Sequence, residues 1–298
     1  MDFISLGKSP LKISRIGFGC MSLPNDQQMV NSLTAAALDA GINFFDTADL
    51  YGGGSNETML GSALRDKRKS IVLATKVGNQ LNADGKTWTW NAQRSYILSA
   101  VENSLRRLHT DYIDLYQLHG GTMNDPIDET IDAFETLRKQ GKIRCYGISS
   151  IRPSVIRAWS ARSSIVSVMM QYSLLDRRPE ESALDFLHDK NIGVLARGAL
   201  ASGLLINKPA HPYLNRDTAV VEKAADAIRR VSGPDRSPVA SSLRFALCHP
   251  AISAAVVGVR SLEQLKVVTD CFRSPELTAG ELQQVRKAVP PHYYAEHR

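Results

Sequence analysis

The sequence predicts an α/β chain folded as a single (β/α)8 TIM barrel over residues 1–298, with a short N-terminal hairpin and a C-terminal helix. Two observations carry this. Eight short apolar runs lack the alternation of a half-exposed sheet, as expected of parallel strands buried on both faces. Amphipathic helical segments separate those runs, and eight strands interleaved with helices favour a closed barrel over a doubly wound sheet. The length of 298 residues suits one such barrel, which typically takes about 250.

The strand candidates are Arg15–Gly19, Asn43–Thr47, Ile71–Lys76, Tyr112–His119, Ile143–Ser149, Val166–Gln171, Gly193–Arg197 and Ala254–Gly258. Met1–Pro10 precedes the first and is expected to form a hairpin over the bottom of the barrel. Gln27–Ala40 sets Val30, Leu33 and Ala37 on one helical face and stops at Gly41, a residue type suited to the position after a helix. Arg94–Leu108 repeats Ile97, Val101, Leu105 and Leu108 at helical spacings, and Asp128–Gln140 aligns Ile131, Phe134 and Leu137 before Gly141. Pro153 stands where a first helical residue is favoured. Ser261–Gln264 and Thr278–Glu281 both fit the capping-box pattern. Ile206–Val220, with two prolines, reads as a surface loop. No composition shift marks a second domain.

Hydrophobic content of 43% and charged content of 22% describe an ordinary globular chain with ample core. The net charge of +6 is scattered, with no basic run longer than Lys67-Arg68-Lys69, which argues against a nucleic-acid partner and suits an anionic small ligand. Cys20, Cys145, Cys248 and Cys271 form no C-x-x-C pair, so neither a zinc ribbon nor a disulfide framework is expected, and reduced thiols fit the cytoplasm. Met1–Ser9 shows no signal-peptide pattern, and no 18-residue apolar stretch spans a membrane. No metal is required, and a monomer is the default expectation.

In this fold, chemistry gathers at the carboxyl ends of the strands. The residues closing the eight runs are Gly19, Asp46, Lys76, His119, Ser149, Gln171, Arg197 and Gly258, polar or permissive where core residues would be apolar. Singly, several have a structural explanation: a loop-capping Asp46, a packing His119, a turn aromatic at Tyr51. Lys76 is harder to dismiss, because a buried ammonium without a carboxylate partner loses its proton, and Asp46 is placed to supply one. Together, Asp46, Tyr51, Lys76 and His119 are the parts of acid catalysis on a carbonyl. A phenol near pKa 10 holds its proton too firmly for neutral pH. A lysine cation about 4 Å away is worth roughly 4 kcal/mol at an effective dielectric near 20, about three pKa units, which would bring Tyr51 toward working pH. Asp46 keeps Lys76 charged, and His119 donates to the carbonyl oxygen as charge develops. None of the four supplies a hydride, so a nicotinamide cofactor is implied.

These residues resemble the aldo-keto reductase superfamily over nearly the whole chain. The matching motifs, in order, are Gly17-Phe-Gly-Cys-Met-Ser-Leu, Gly41-Ile-Asn-Phe-Phe-Asp46-Thr-Ala-Asp-Leu-Tyr51-Gly, Ala74-Thr-Lys76, Asp111-Tyr-Ile-Asp-Leu-Tyr-Gln-Leu-His119 and Gly141-Lys-Ile-Arg-Cys-Tyr-Gly-Ile-Ser149. Gln171-Tyr-Ser-Leu-Leu-Asp-Arg-Arg-Pro179 is most similar to bacterial, NADP(H)-preferring members. The resemblance places the family's catalytic tetrad on the same Asp46, Tyr51, Lys76 and His119. It implies that Asp46, Ser149, Ser150 and Gln171 border the nicotinamide end of NADPH/NADP+, with Gly19, Cys20 and Met21 against the ring. It puts the pyrophosphate and adenosine over Gly198, Ala199, Leu200 and Gly203 and over Gly258, Val259 and Arg260. Ser261 opens a helix whose free N–H groups favour phosphate. Arg260 is the natural partner of a ribose 2′-phosphate, with Gln264 one turn further. Three positions depart from the family pattern. Ser150 stands for an asparagine, Arg197 for an aromatic against the nicotinamide, and Val267-Val268 for a Glu-Asn pair near the adenine. Gly52-Gly53-Gly54 is no Rossmann fingerprint.

The activity implied is NADPH-dependent reduction of an aldehyde or ketone to an alcohol, with a small-molecule carbonyl compound as substrate. Some relatives serve as channel-associated subunits, so an NADP(H)-binding regulatory or interaction protein with slow turnover is the alternative. A lyase using Lys76 as a Schiff base is a third. Met21–Leu23, Leu50, the loop carrying Trp88 and Trp90, and Gly120–Met123 are expected to line the mouth and favour apolar or aromatic substrates. A Cys20 thiol there is expected to be buried and inert.

Overall fold

Strands apolar on both faces need helices outside and side chains inside, and the chain satisfies both needs by closing its sheet. The computed structural model describes residues 1–296. The antiparallel pair β1 (Phe3–Ser5) and β2 (Lys12–Ser14) comes first, then β3 (Ile16–Gly19), β4 (Phe44–Asp46) and β5 (Val72–Val77). A second antiparallel pair, β6 (Asn79–Leu81) and β7 (Trp88–Trp90), interrupts the series. It continues through β8 (Ile113–Leu118), β9 (Ile143–Ser149), β10 (Ser167–Gln171), β11 (Gly193–Arg197) and β12 (Ile252–Gly258). Eight strands close in the cyclic order β3-β4-β5-β8-β9-β10-β11-β12, each pair parallel, with β12 returning to β3. The helices are α1 (Gln27–Asp39), α2 (Ser55–Leu64), α3 (Arg94–Arg107), α4 (Ile127–Lys139), α5 (Pro153–Arg162), α6 (Ala183–Asp189), α7 (Thr218–Arg230), α8 (Pro238–Leu247), α9 (Leu262–Thr269) and the C-terminal α10 (Ala279–Ala288).

The core divides as this topology requires. Phe44, Val72, Ala74, Leu115, Cys145, Met169, Leu195, Ala254 and Val256 form one cluster inside the barrel, joined from below by Leu6, Leu11 and Ile13. The N-terminal hairpin is therefore the plug of the barrel floor. An added Cβ at Gly7 would meet the Val166 carbonyl at 2.4 Å, so the plug seats backbone to backbone at the start of β10. The larger cluster lies between the strands and the helices. Strand residues two apart share a face. By that parity Asp46, Lys76, His119, Gln171, Arg197 and Gly258 all follow residues of the inner cluster, so the strand-end polar groups converge at the open end.

Several elements differ from the sequence reading. The hairpin's second strand lies beyond Pro10, at Lys12–Ser14, and β12 starts two residues earlier than Ala254. The segment carrying Trp88 and Trp90 is a hairpin, closed by Asn82–Thr87 with Gly85 at φ +65°. Helix α7 begins at Thr218, inside the segment read as loop. Thr278 and Glu281 form the full capping box. Ser261 accepts the Gln264 N–H, but the Gln264 side chain accepts the Arg260 N–H instead of that of Ser261. Among the described residues no helix is long and apolar enough to cross a membrane.

Candidate active site

Asp46 ends β4 with Gly19 of β3 on one side and Ala74 of β5 on the other. Lys76 lies two residues beyond Ala74 on the same inward face, which aims its ammonium at that carboxylate. The result is a buried ion pair, Lys76 Nζ to Asp46 Oδ2 at 2.6 Å, with the Thr47 carbonyl accepting a second Lys76 bond at 2.8 Å. Gln117, the register partner of Lys76 on β8, donates from Nε2 to Asp46 Oδ1 at 3.1 Å.

Tyr51 reaches the pair on a loop fastened at several points. Thr47 N–H donates to Ala74 O, Asp49 N–H to Lys76 O and Tyr51 N–H to Ala48 O. The Thr47 hydroxyl donates to Asn56, whose amide donates to the Cys20 carbonyl. Gly52, Gly53 and Gly54 then take φ +57°, +61° and +95°, a left-handed run that only glycine adopts without strain, and the chain turns at once into α2. The Tyr51 ring centre lies 5.3 Å from Lys76 Nζ and meets the His119 ring edge-on at 5.9 Å. The four groups chosen from the sequence thus share one cluster.

Their proton affinities follow from burial and charge. Burial pulls Lys76 down, but Asp46 and Tyr51 together outweigh it, and the ammonium is held above its ordinary value. Burial pushes Asp46 up against the opposing pull of Lys76 and Gln117, and a 2.6 Å contact with an ammonium is that of an ion pair. For Tyr51 the expectation of a net downward shift is wrong in sign. Burial raises the phenol more than Lys76 lowers it, because the pairwise attraction was set against no desolvation. Tyr51 therefore stays protonated, the form a proton donor must have. Burial, reinforced by Lys76 and Arg197, holds His119 down at about 3, so its imidazole is neutral and has a single N–H to donate. His119 Nδ1 and Gln117 Oε1 are buried and have no hydrogen-bond partner among the described residues.

The residues assigned to a cofactor lie around the same rim. Gly19 and Gly258 are register partners, and a Cβ on Gly19 would crowd the Gly258 nitrogen at 3.2 Å. Ser150 N–H donates to the Met169 carbonyl, and Ser149 pairs with Met169. Gln171 pairs with Arg197, whose Nη1 donates to Gln171 Oε1 at 3.0 Å. Gly198, at φ +71°, lies over the Gln171 side chain. Ala199 is buried, Leu200 is half-buried, and Gly203 turns the loop at φ +93°. Val259 is buried, while Arg260 is exposed beside the Ser261-capped start of α9. Met21 is exposed at the mouth; Cys20 is fully buried, its thiol pushed far up by burial, and inert.

Comparison with known proteins adds the decisive observation: the model of the aldo/keto reductase family matches residues 15–290. The chain belongs to the aldo/keto reductase family. It is 44% identical to the oxidoreductase YqkF of Bacillus subtilis (strain 168), over 98% of each chain. Among solved structures it is similar to the holo form of aldo-keto reductase AKR11C1 from Bacillus halodurans, at TM-score 0.94 and 44% identity over 100% of this chain and 99% of that one. It also resembles the glycerol dehydrogenase AKR11B4 from Gluconobacter oxydans, at TM-score 0.86 and 27% identity over 99% of both. As an aldo/keto reductase the protein is an oxidoreductase acting on small molecules, and the family generally works with nicotinamide cofactors.

Within this aldo/keto reductase site, three residues add to those read from the sequence. Gln117 could have been found, because it stands two residues before His119 and therefore shares its face. Tyr213 could not: its hydroxyl takes the Gln171 Nε2 hydrogen at 2.8 Å, but it comes from an irregular segment without a periodic signal. Lys208 lies against Gly203 for a similar reason, its amide bonded to the Gly203 carbonyl.

Proposed function

We propose that this aldo/keto reductase reduces aldehydes or ketones to alcohols with NADPH, Tyr51 giving the proton to the carbonyl oxygen. The observation that carries this is the buried Asp46–Lys76 pair at 2.6 Å with its ammonium 5.3 Å from the Tyr51 ring centre. When bound, the nicotinamide supplies the hydride that no side chain here can give. The residues present fit such a cofactor. Ser149, Ser150 and Gln171 border the open end beside His119, whose Nδ1 is buried and unpaired among the described residues, and the exposed Arg260 at the Ser261-capped start of α9 offers charge to a 2′-phosphate. The similarity to a holo structure supports the same reading.

In this scheme Asp46, itself fixed by Gln117, and the Thr47 carbonyl hold the ammonium in place, and Lys76 favours the phenolate left when Tyr51 has given its proton. The neutral His119 directs its N–H at the substrate oxygen as charge develops there. Trp88, Met21 and Met123 leave an exposed apolar rim at the mouth, which supports an apolar or aromatic substrate. We further propose that residues 1–298 act as one domain, monomeric and cytoplasmic. Incubating the purified protein with NADPH and a panel of aldehydes tests the reading: loss of NADPH absorbance with formation of alcohol is expected. Cofactor binding without turnover on any aldehyde or ketone would point instead to a regulatory NADP(H)-binding protein.

A further inference from the structure

Tyr213, on the segment between β11 and α7, reaches the rim from outside the barrel strands and has no part in the scheme above. Its hydroxyl accepts from Gln171 Nε2 at 2.8 Å, and Arg197 Nη1 donates to Gln171 Oε1 at 3.0 Å. A guanidinium has only donors, so the amide oxygen faces Arg197 and the NH2 group faces the phenol. Gly198 closes one side of this amide: a Cβ there would lie 3.3 Å from Gln171 Cγ and 3.6 Å from Cδ. Gln171 and Arg197 are register partners closing β10 and β11, on the face shared with Lys76 and His119, so the amide borders the open end where the reacting groups converge.

The turn that presents Tyr213 is held in a strained form. Tyr213 and Arg216 exchange backbone hydrogen bonds at 3.0 Å in each direction, and Leu214 and Asn215 between them take φ +50° and +63°. Two consecutive left-handed residues without a glycine persist only where the surroundings impose them. Arg216 supplies the anchor. It is 9% exposed, and it donates from Nε to the Leu175 carbonyl at 2.9 Å and from Nη2 to the Pro290 carbonyl at 2.9 Å and to His292 Nδ1 at 2.6 Å. The phenol therefore comes to Gln171 from a fixed turn. Among the described residues the Gln171 side chain has two partners, so one lone pair on Oε1 and one N–H on Nε2 stay open. An acceptor and a donor side by side in one plane are the complement of a carboxamide, the group that a nicotinamide ring carries.

We propose that Tyr213 is a positioning residue for the nicotinamide end of the cofactor: its hydroxyl holds the Gln171 amide so that the open donor and acceptor meet the carboxamide. The proposal rests on the NADPH reading above. Arg197 alone does not suffice, because it is exposed, and one bond open to water leaves the amide able to swing. Tyr213 is half-buried and grips the other end of the amide, so the two partners together fix its place and its plane. The phenol takes no part in the chemistry. The adenosine end of the cofactor, assigned to Arg260 and the start of α9, does not depend on it.

The test compares the Kd of NADP+ with that of 2′-phospho-ADP-ribose, the same molecule without its nicotinamide, by titration calorimetry on the wild type and Tyr213→Phe. Tyr213→Phe should weaken NADP+ by roughly three- to tenfold, the net worth of one hydrogen bond, and leave 2′-phospho-ADP-ribose within about twofold. In a Gln171→Met background the same substitution should be silent toward NADP+, since the amide it positions is gone. Equal weakening of both ligands would make Tyr213 a prop for the whole loop and overturns the proposal. So does an unchanged NADP+ Kd, or an effect of Tyr213→Phe undiminished in Gln171→Met. The wild type separates the two readings. If it binds neither ligand, the NADPH reading and this proposal fall together; if it binds NADP+ and reduces aldehydes with NADPH while Tyr213→Phe binds NADP+ equally well, this proposal falls alone.

Discussion

Lys76→Met keeps the side chain's length and removes its charge. In the structure Lys76 is 1% exposed and lies 2.6 Å from Asp46, itself 4% exposed. Without the ammonium, Asp46 keeps one side-chain donor, Gln117 Nε2 at 3.1 Å. Unpairing a buried ion pair costs about 3–5 kcal/mol unless the remaining group neutralises. Burial already pushes Asp46 up, and Lys76 is the strongest influence opposing it, so the variant's carboxyl will take a proton. A carboxyl whose folded pKa exceeds its unfolded one stabilises the fold fully below the unfolded value. That stabilisation is lost at about 1.4 kcal/mol per pH unit as pH rises toward the folded value. Lys76→Met should therefore match the wild type near about pH 4 and lie on the order of 10 °C below it in Tm near about pH 8. Because Tyr51 also loses its cation, kcat should fall by about 10²–10³-fold at saturating NADPH. Thermal unfolding by circular dichroism across this range, with kcat on the same samples, checks both. A Tm deficit independent of pH, or a kcat within about threefold of wild type, refutes the reasoning.

Two further outcomes follow from single residues. Arg260→Ala should weaken NADPH binding by roughly 10- to 100-fold, the worth of charge-assisted hydrogen bonds, and leave NADH binding nearly unchanged; fluorescence titration with each cofactor reads the difference. The His119 imidazole, held down at about 3, should show no titration by NMR between about pH 5 and about pH 8. Because its folded pKa is depressed, its stabilising contribution is present above the unfolded value near 6.5 and is lost as pH falls from there toward about 3.

The barrel is legible because its strands are doubly buried and therefore unalternated, and because their ends carry residues that no core would keep. Asp46, Lys76 and His119 are recognisable for that reason, and Tyr51 by its place in the glycine-rich turn. The hairpin carrying Trp88 and Trp90 escapes detection because Asn79–Leu81 and Trp88–Trp90 are only three residues each. Asp84-Gly85 was nevertheless the turn signal for it. The direction of the Tyr51 shift depends on burial by residues distant in sequence, which no spacing encodes. Tyr213 and Lys208 reach the rim from the segment between β11 and α7, where their positions depend on tertiary anchors. One of these is Arg216, which donates to the Leu175 and Pro290 carbonyls.

The most direct measurement of Tyr51 as the acid compares Tyr51→Phe with wild type in NADPH affinity and in kcat for an aldehyde. Removal of one hydroxyl from a preformed site should leave the NADPH Kd within about twofold and lower kcat by at least about 100-fold. Unchanged kcat at unchanged affinity would show that the proton comes from elsewhere, and the central role given to the Asp46–Lys76–Tyr51 cluster would be wrong.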